Sequence, residues 1–243
     1  MIKELILAII QAATEFLPIS SSGHLALASN FISKPNLFFF TVLHLASLIA
    51  VLIFTRTELK ELLTFNKKYR KMWLYLIIAS IPALLFGYFF KQTIEKSFYS
   101  LLIIGIAFIF TGTVLYFTKF SKKYDKLNIK NSLIIGLLQV LALFPGVSRS
   151  GMTISAGLFS GINREKATKF SFLLFIPLSI SAFFSELGKI QFSFSLSISF
   201  FVCLIFSLLF LSLLLTIVKK RKLWMFSFYC WIIGLLAIIL HFS

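Results

Sequence analysis

Gln11-Ala-Ala-Thr-Glu15-Phe16-Leu-Pro18-Ile-Ser20-Ser21-Ser22-Gly23-His24 interrupts an otherwise apolar stretch with a carboxylate, a proline and a run of serines. A second stretch, Gln139-Val-Leu-Ala-Leu-Phe144-Pro145-Gly146-Val-Ser148-Arg149-Ser150-Gly151-Met-Thr153, breaks its apolar surroundings in the same way. Each has a Gln, then Phe and Pro, then a turn rich in Ser and Gly. The offset is 128 residues at the Gln and Phe pairs, 127 at the Pro pair, and 128 again at Gly23 and Gly151. A polar, helix-breaking cluster in hydrocarbon is expensive, so it marks a functional site by default. Two such clusters point to two halves that bring their broken segments together.

Composition settles the surroundings. The chain has 243 residues, 59% of them hydrophobic and 13% charged. A soluble domain carries roughly twice that charged share. Several apolar runs of about 18 residues make it a polytopic membrane protein. The net charge of +16 could suggest nucleic acid. The basic residues instead fall in short loops between apolar runs, where they mark cytoplasmic sides, so no nucleic-acid partner is expected. No cleavable leader is expected, because the first apolar run contains Gln11 and Glu15 and lacks a small-residue cleavage site. Cys203 and Cys230 lie inside apolar runs and read as small core hydrophobes.

Six runs are long enough, or nearly so, to span: Leu37–Phe54, Trp73–Phe90, Leu101–Phe117, Phe170–Ser185, Phe194–Val218 and Trp224–Phe242. Two more segments, 2–32 and 131–161, are broken near the middle, and each half is too short to cross a core of about 30 Å. They read as re-entrant helical hairpins, tolerated only where protein or a wet cavity covers the broken backbone. Eighteen Lys and Arg residues fall on one side of this scheme and five on the other, with Arg149 left inside. The richer side is cytoplasmic. The first hairpin then enters from outside and the second from the cytoplasm, each followed by three spans. The expected fold is therefore an all-α membrane protein of six transmembrane helices plus two re-entrant hairpins in an inverted repeat, 1–120 and 128–243, in one membrane domain. The polar tips should meet near the midplane.

The chemistry is concentrated at those tips. Gln11 and Glu15 are four apart and share a helix face. An exposed interfacial helix is the plain reading. A carboxylate with an amide neighbour deep in an apolar run suits a divalent cation, Mg²⁺ or Ca²⁺, or a proton. Ser20, Ser21, Ser22 and Gly23 can cap the following half-helix and also turn backbone N–H groups toward an anion. His24, one residue beyond, suits acid–base work or attack on phosphorus. Arg149 needs an anionic partner, with Glu15 as the structural candidate. Its planar fork, beside the hydroxyls of Ser148, Ser150 and Thr153, fits phosphate oxygens. His44, in mid-span, reads mainly as a helix–helix hydrogen bonder. Pro82 and Pro177 read as kinks and Gly105, Gly112 and Gly234 as packing positions. Glu186 and His241, at span ends, need no special role.

These motifs resemble the undecaprenyl-diphosphate phosphatases of the bacitracin-resistance type. That family's first signature is Glu or Gln, three residues, Glu, then Phe-Leu-Pro-hydrophobic-Ser-Ser-x-Gly-His, matched by Gln11, Glu15 and Phe16 through His24. The second, Pro-Gly-x-Ser-Arg-Ser-Gly-x-Thr, is met by Pro145 through Thr153, and Phe170-Ser-Phe-Leu-Leu-Phe-Ile-Pro177 is similar to a third conserved helix. The resemblance implies a bacterial inner-membrane enzyme. It would hydrolyse undecaprenyl diphosphate to the monophosphate carrier lipid and inorganic phosphate, recycling the carrier for peptidoglycan synthesis and conferring bacitracin resistance. It also implies a divalent cation and a site opening to the outer face. By motif position, Gln11 and Glu15 would be the acidic and metal element, Ser21 and His24 the nucleophilic or phosphate-handling one. Ser148, Arg149, Ser150 and Thr153, with Ser20 and Ser22, would cradle the diphosphate.

Two departures stand out: Gln11 where relatives often carry Glu, and Lys169, read as a loop residue of neutral effect, where many carry Glu. The attacking group stays open among Ser21 activated by His24, His24 itself and a metal-bound water. The expected partners are the polyprenyl diphosphate and membrane lipids, and a homodimer is allowed. The rival is an inverted-repeat transporter or flippase for an anion or polyprenyl phosphate using Arg149. A non-catalytic scaffold would have no reason to bury Glu15 and Arg149. The Glu15/His24 pair beside serines is more chemistry than transport needs.

Overall fold

Among the residues it describes (1–28, 37–64, 67–121, 127–184 and 193–242), the computed structural model is built from helices and tight turns with no strand. The α-helices run α1 (Ile2–Phe16), α2 (Ser21–Ala28), α3 (Leu37–Phe54), α4 (Arg56–Leu63), α5 (Lys67–Phe89), α6 (Lys91–Ser97), α7 (Leu101–Phe117), α8 (Ile129–Leu141), α9 (Arg149–Phe159), α10 (Arg164–Phe184), α11 (Phe194–Lys219) and α12 (Phe226–Phe242). Lys34, Lys122, Lys123, Lys126, Glu186 and Lys189, used or weighed above, lie outside the described residues.

Among the described residues, five helical stretches are long and apolar enough to cross a membrane: Tyr69–Phe89, Leu101–Phe120, Arg164–Phe184, Phe194–Lys219 and Leu223–Phe242. A sixth is obtained when Phe39–Phe54 and Arg56–Leu63, bent by 72°, count as one. The chain is thus an all-α, multi-pass membrane protein. The bend falls at Thr55, whose Oγ1 donates to Val51 O at 2.8 Å. Beyond it α4 carries Arg56, Glu58, Lys60 and Glu61, a composition for the interface, where the charges stay hydrated.

Two helix pairs are too short to span. At 15 and 13 residues, α1 and α8 reach about 22 and 20 Å at 1.5 Å per residue. Local chemistry breaks each pair. Pro18 forces the preceding Leu17 out of the helical region, to φ −59° and ψ 144°. Ser20 follows in the left-handed region at φ 67°. Its Oγ then accepts from Gly23 N at 3.2 Å and opens α2. In the second break Gly146 takes φ 94°, a backbone that favours glycine. Ser148 caps α9, its Oγ accepting from Gly151 N at 3.1 Å.

The tips touch. Ser20 Oγ also accepts from Gly146 N at 3.1 Å, linking one break to the other. A Cβ on Gly23 would come within 2.8 Å of Gly146 Cα, so only hydrogen fits between the turns. The expected meeting of the two polar tips is what the fold shows.

Packing around the tips joins helices distant in sequence. α1 lies along α11, and α8 lies along α5. α3 packs on α10 and α7 on α12. The α7–α12 seam closes backbone on backbone: a Cβ on Gly105 would sit 2.7 Å from Gly234 O, and one on Gly234 the same distance from Gly105 O. Pro82 and Pro177 lie inside α5 and α10. Cys203 and Cys230 are buried thiols, donating to Leu43 O and Pro18 O.

Lys169 needs correcting. It is not in a loop but in the first turns of α10, where its Nζ lies 2.7 Å from Glu58 Oε1 and 3.4 Å from Glu165 Oε1. Glu165 in turn meets Lys219 Nζ at 3.0 Å, so these ion pairs join α4, α10 and α11. The helix starts ahead of the apolar run because its charged first turn is matched by neighbours the linear sequence does not show.

Candidate active site

Glu15 is the centre of the site. It comes one turn before the break in α1 and is 7% exposed. Its Oε2 accepts from Ser21 Oγ at 2.6 Å and from Gln11 Nε2 at 3.0 Å. Its Oε1 accepts from Arg149 Nη2 at 3.2 Å. Donors on both oxygens are the environment of a carboxylate. Ser21 arrives there because Pro18 and the left-handed Ser20 reverse the chain, bringing the first residue of α2 back over the last turn of α1.

Arg149 supplies the opposite charge from the other hairpin. Its side chain is 12% exposed. Nη1 donates to Ser171 O of α10 at 3.2 Å, and the guanidinium stands 4.2 Å from the Phe175 ring centroid. Burying either charge alone would cost several kcal/mol, about 3–5 on truncating one partner. Thr153 Oγ1 donates to Arg149 O at 2.9 Å and meets Ser171 Oγ at 2.7 Å, so the first turn of α9 is tied to α10. Ser148 Oγ and Ser150 Oγ lie 3.2 Å apart. The backbone under them is fixed by Thr111 of α7, whose Oγ1 donates to Gly146 O at 2.9 Å and accepts from Ser148 N at 3.2 Å. The second hairpin therefore brings a guanidinium to Glu15 at an α-helix N-terminus that also carries two hydroxyls, a setting suited to phosphate oxygens.

His24 is held apart from Ser21. Its Nδ1 lies 2.7 Å from Ser20 O, and a carbonyl can only accept, so Nδ1 carries the proton. Nε2 is then a lone pair that accepts from Tyr229 OH at 2.7 Å, with the two rings stacked. Phe108 packs edge-on against the imidazole. Ser21 donates to Glu15 rather than to His24. Ser20 works at the joint between tips, and Ser22 Oγ meets Ser20 Oγ at 3.3 Å.

A cation has one built donor here beside Glu15. Gln11 is 0% exposed, and its Oε1 has no hydrogen-bond partner while its Nε2 is engaged. A buried carbonyl oxygen left open beside a carboxylate fits a hard cation, provided substrate oxygens complete its shell. No group of three or more His, Cys, Asp or Glu side chains suited to a metal occurs among the described residues. The donors present therefore fit a cation shared with a phosphate substrate and not an all-protein cage.

The profile described as bacitracin resistance protein BacA matches residues 4–236. The chain belongs to the BacA family. The chain is also similar to the undecaprenyl-diphosphatase of Thermosipho africanus, 43% identical, with 97% of this chain and 98% of the relative covered. The namesake enzyme of Thermosipho melanesiensis is 41% identical over 98% of both. That of Methanobrevibacter smithii is 37% identical over 97% of this chain and 96% of its own.

Within this candidate site, the fold recruits residues whose part was not legible from the sequence. His44 of α3 brings Nδ1 to 3.3 Å from Gln11 Nε2 and 3.5 Å from Glu15 Oε2. Its expected role, a hydrogen bond between helices, is present, but at the centre of the site. Ser171, Phe175, Thr111 and Tyr229 come from α10, α7 and α12. Ser171 and Thr111 had a visible signal, a hydroxyl in an otherwise apolar, Phe-containing run.

Proposed function

We propose that the chain is an undecaprenyl-diphosphatase, hydrolysing undecaprenyl diphosphate to undecaprenyl phosphate and inorganic phosphate, and so recycling the carrier lipid. The observation that carries the reading is the buried Glu15 held between Ser21 of one hairpin and Arg149 of the other. Full-length relatives carry the name undecaprenyl-diphosphatase.

The polyprenyl tail lies in the membrane along the apolar outer surface while the diphosphate reaches the tips. Arg149 Nη groups and the N-terminal turn of α9, with Ser148, Ser150 and Thr153, hold the terminal phosphoryl group and neutralise charge growing on it. Ser21 Oγ attacks phosphorus, and Glu15 Oε2, already 2.6 Å away, takes its proton. The new Ser21 O–P bond replaces the anhydride O–P bond, and undecaprenyl phosphate leaves with the bridging oxygen. Water then cleaves the Ser21–phosphate ester, releasing inorganic phosphate and returning the serine its proton. His24 Nε2, a lone pair on the same helical face as Ser21, takes the proton of that water once Tyr229 moves aside. A divalent cation, Mg²⁺ or Ca²⁺, would be held by Glu15 and Gln11 Oε1 and would supply further neutralisation of the diphosphate.

The two halves are read as an inverted repeat, 1–120 and 128–243. The exchanged packing of α1 on α11 and α8 on α5 supports it. The Lys- and Arg-rich side is read as cytoplasmic, and the family resemblance supports reading the enzyme as one of the cytoplasmic (inner) membrane with its site open to the outer face. The test is phosphate release from undecaprenyl diphosphate by detergent-purified protein with Mg²⁺ or Ca²⁺, and with chelator. Cation-dependent release is expected. No release by folded protein with any cation would reject the enzyme and favour an anion transporter built on Arg149.

A further inference from the structure

Buried aromatic rings pack beside the Glu15–Arg149 pair. Phe16, next to Glu15 in α1, stands edge-on to Phe175 with ring centroids 5.9 Å apart, and to Phe172 with centroids 6.5 Å apart. Phe175 is the ring that lies against the cation, its centroid 4.2 Å from Arg149 Cζ. Ser171 comes one turn earlier on the same face of α10 and accepts from Arg149 Nη1 at 3.2 Å. The Ser171 hydroxyl also meets Thr153 Oγ1 at 2.7 Å, and Thr153 Oγ1 donates to Arg149 O. A single turn of α10 therefore holds Arg149 at both ends, backbone and guanidinium. A guanidinium carries its five N–H donors in its plane and none on its faces. Ser171 O and Glu15 Oε1 each take one hydrogen at that edge. A further carboxylate would take more donors and cancel the charge that a phosphate needs. An aromatic face holds the cation while taking no donor, and it holds best where water is kept away, as at buried Phe175.

We propose that Phe175 is a positioning residue of this site: its ring face fixes the plane of the Arg149 guanidinium and leaves the unengaged N–H edge to phosphate oxygens. The kinetic consequence rests on the phosphatase reading, whereas the contact between ring and cation does not. The role separates Phe175 from its neighbour Phe172, which packs on Phe16 and on Phe54 of α3. At a position that only fills the core, another apolar side chain of similar volume serves nearly as well. At Phe175 the π face itself is required.

The first arm needs no turnover. In ¹⁵N-arginine-labelled protein, the Arg149 Nε–H proton resonance, assigned by its loss in Arg149→Lys, should lie upfield of its position in Phe175→Leu, because a ring face shields the protons above it. An unchanged resonance would overturn the inference. The second arm is kinetic and uses fluorination, which withdraws charge from a ring face while nearly keeping its shape. Mono-, di- and trifluorinated phenylalanine placed at position 175 should lower kcat/KM for phosphate release from undecaprenyl diphosphate step by step. The trifluorinated ring should lose about tenfold, the size of a desolvated cation–π contact. The same series at position 172 should leave kcat/KM unchanged. Phe175→Leu, checked for folding, should lose about 100-fold, as when a group serving the transition state is displaced. A flat series at 175, or an equal decline at 172, would reduce Phe175 to core packing and overturn the proposal. Failure of the phosphatase reading shows separately, as wild-type protein that has the shielded Arg149 resonance and releases no phosphate.

Discussion

The first hairpin places Gln11 four residues before Glu15, and the second places Gln139 four residues before Leu143. Both glutamines are fully buried, and both leave Oε1 without a partner. Gln11 Nε2 serves a carboxylate and an imidazole. Gln139 Nε2 donates to Ala79 O of α5 at 3.2 Å, a bond between helices. After the break the contrast reverses. The second hairpin opens α9 with Arg149, where the first opens α2 with Ser21 and Ser22. One backbone device, used twice, carries Glu15 and Ser21 on one copy and Arg149 on the other. The division has a physical reason: a charge in the middle of the fold is tolerable only when paired, and each hairpin supplies the partner the other lacks.

The comparison can be broken first at Arg149. Arg149→Ala should lower phosphate release about 10³-fold, the loss expected when a group stabilising transition-state charge is removed. It should also lower thermal stability in detergent by roughly 3 kcal/mol, because Glu15 is left buried and unpaired. Unchanged release would take the second hairpin out of the chemistry. Next comes the joint between tips. A Cβ on Gly146, at φ 94°, would meet Ile104 O at 2.5 Å, so Gly146→Ala should cost about 3 kcal/mol in a melting curve. Ser20→Ala removes the acceptor for both Gly23 N and Gly146 N and should cost about 1–2 kcal/mol. Ser20→Gly, free of the strain at φ 67°, should lose less. A Ser20→Gly variant less stable than Ser20→Ala would contradict that origin. The smallest effect separates the two glutamines. Gln139→Met should cost roughly 1 kcal/mol of stability with kcat/KM unchanged, whereas Gln11→Met should weaken the response to Mg²⁺ or Ca²⁺.

Much of this was legible in the sequence for specific reasons. Leu37–Phe54 and Leu101–Phe117 are helices with those limits, because the boundary between apolar and polar residues is where hydrocarbon ends. The two breaks were legible because Pro18 and Pro145–Gly146 cannot continue a helix. Arg149 was legible as the lone Lys or Arg away from the loops. What failed to show was pairing across helices. α10 extends back to Arg164 because Glu58 and Lys219, distant in sequence, balance its first turn. His44 reads in the sequence mainly as a helix–helix hydrogen bonder, and Tyr229 carries no distinguishing signal there. Each gained its place from the packing of α3 and α12 against the hairpins, and no local periodicity encodes that. The attacking group stays open in the sequence among Ser21 activated by His24, His24 itself and a metal-bound water. In the fold Ser21 donates to Glu15 and His24 meets Tyr229.

The shared site is tested most directly by a double-mutant cycle across the hairpins, with phosphate release from undecaprenyl diphosphate measured for wild type, Glu15→Gln, Arg149→Gln and the double variant, each checked for folding. If one site is built from both, each single change should cost on the order of 10³-fold and the double variant should lose little more than the worse single, as residues acting as a unit do. Losses that multiply, or an Arg149→Gln variant as active as wild type, would contradict a site divided between the two hairpins.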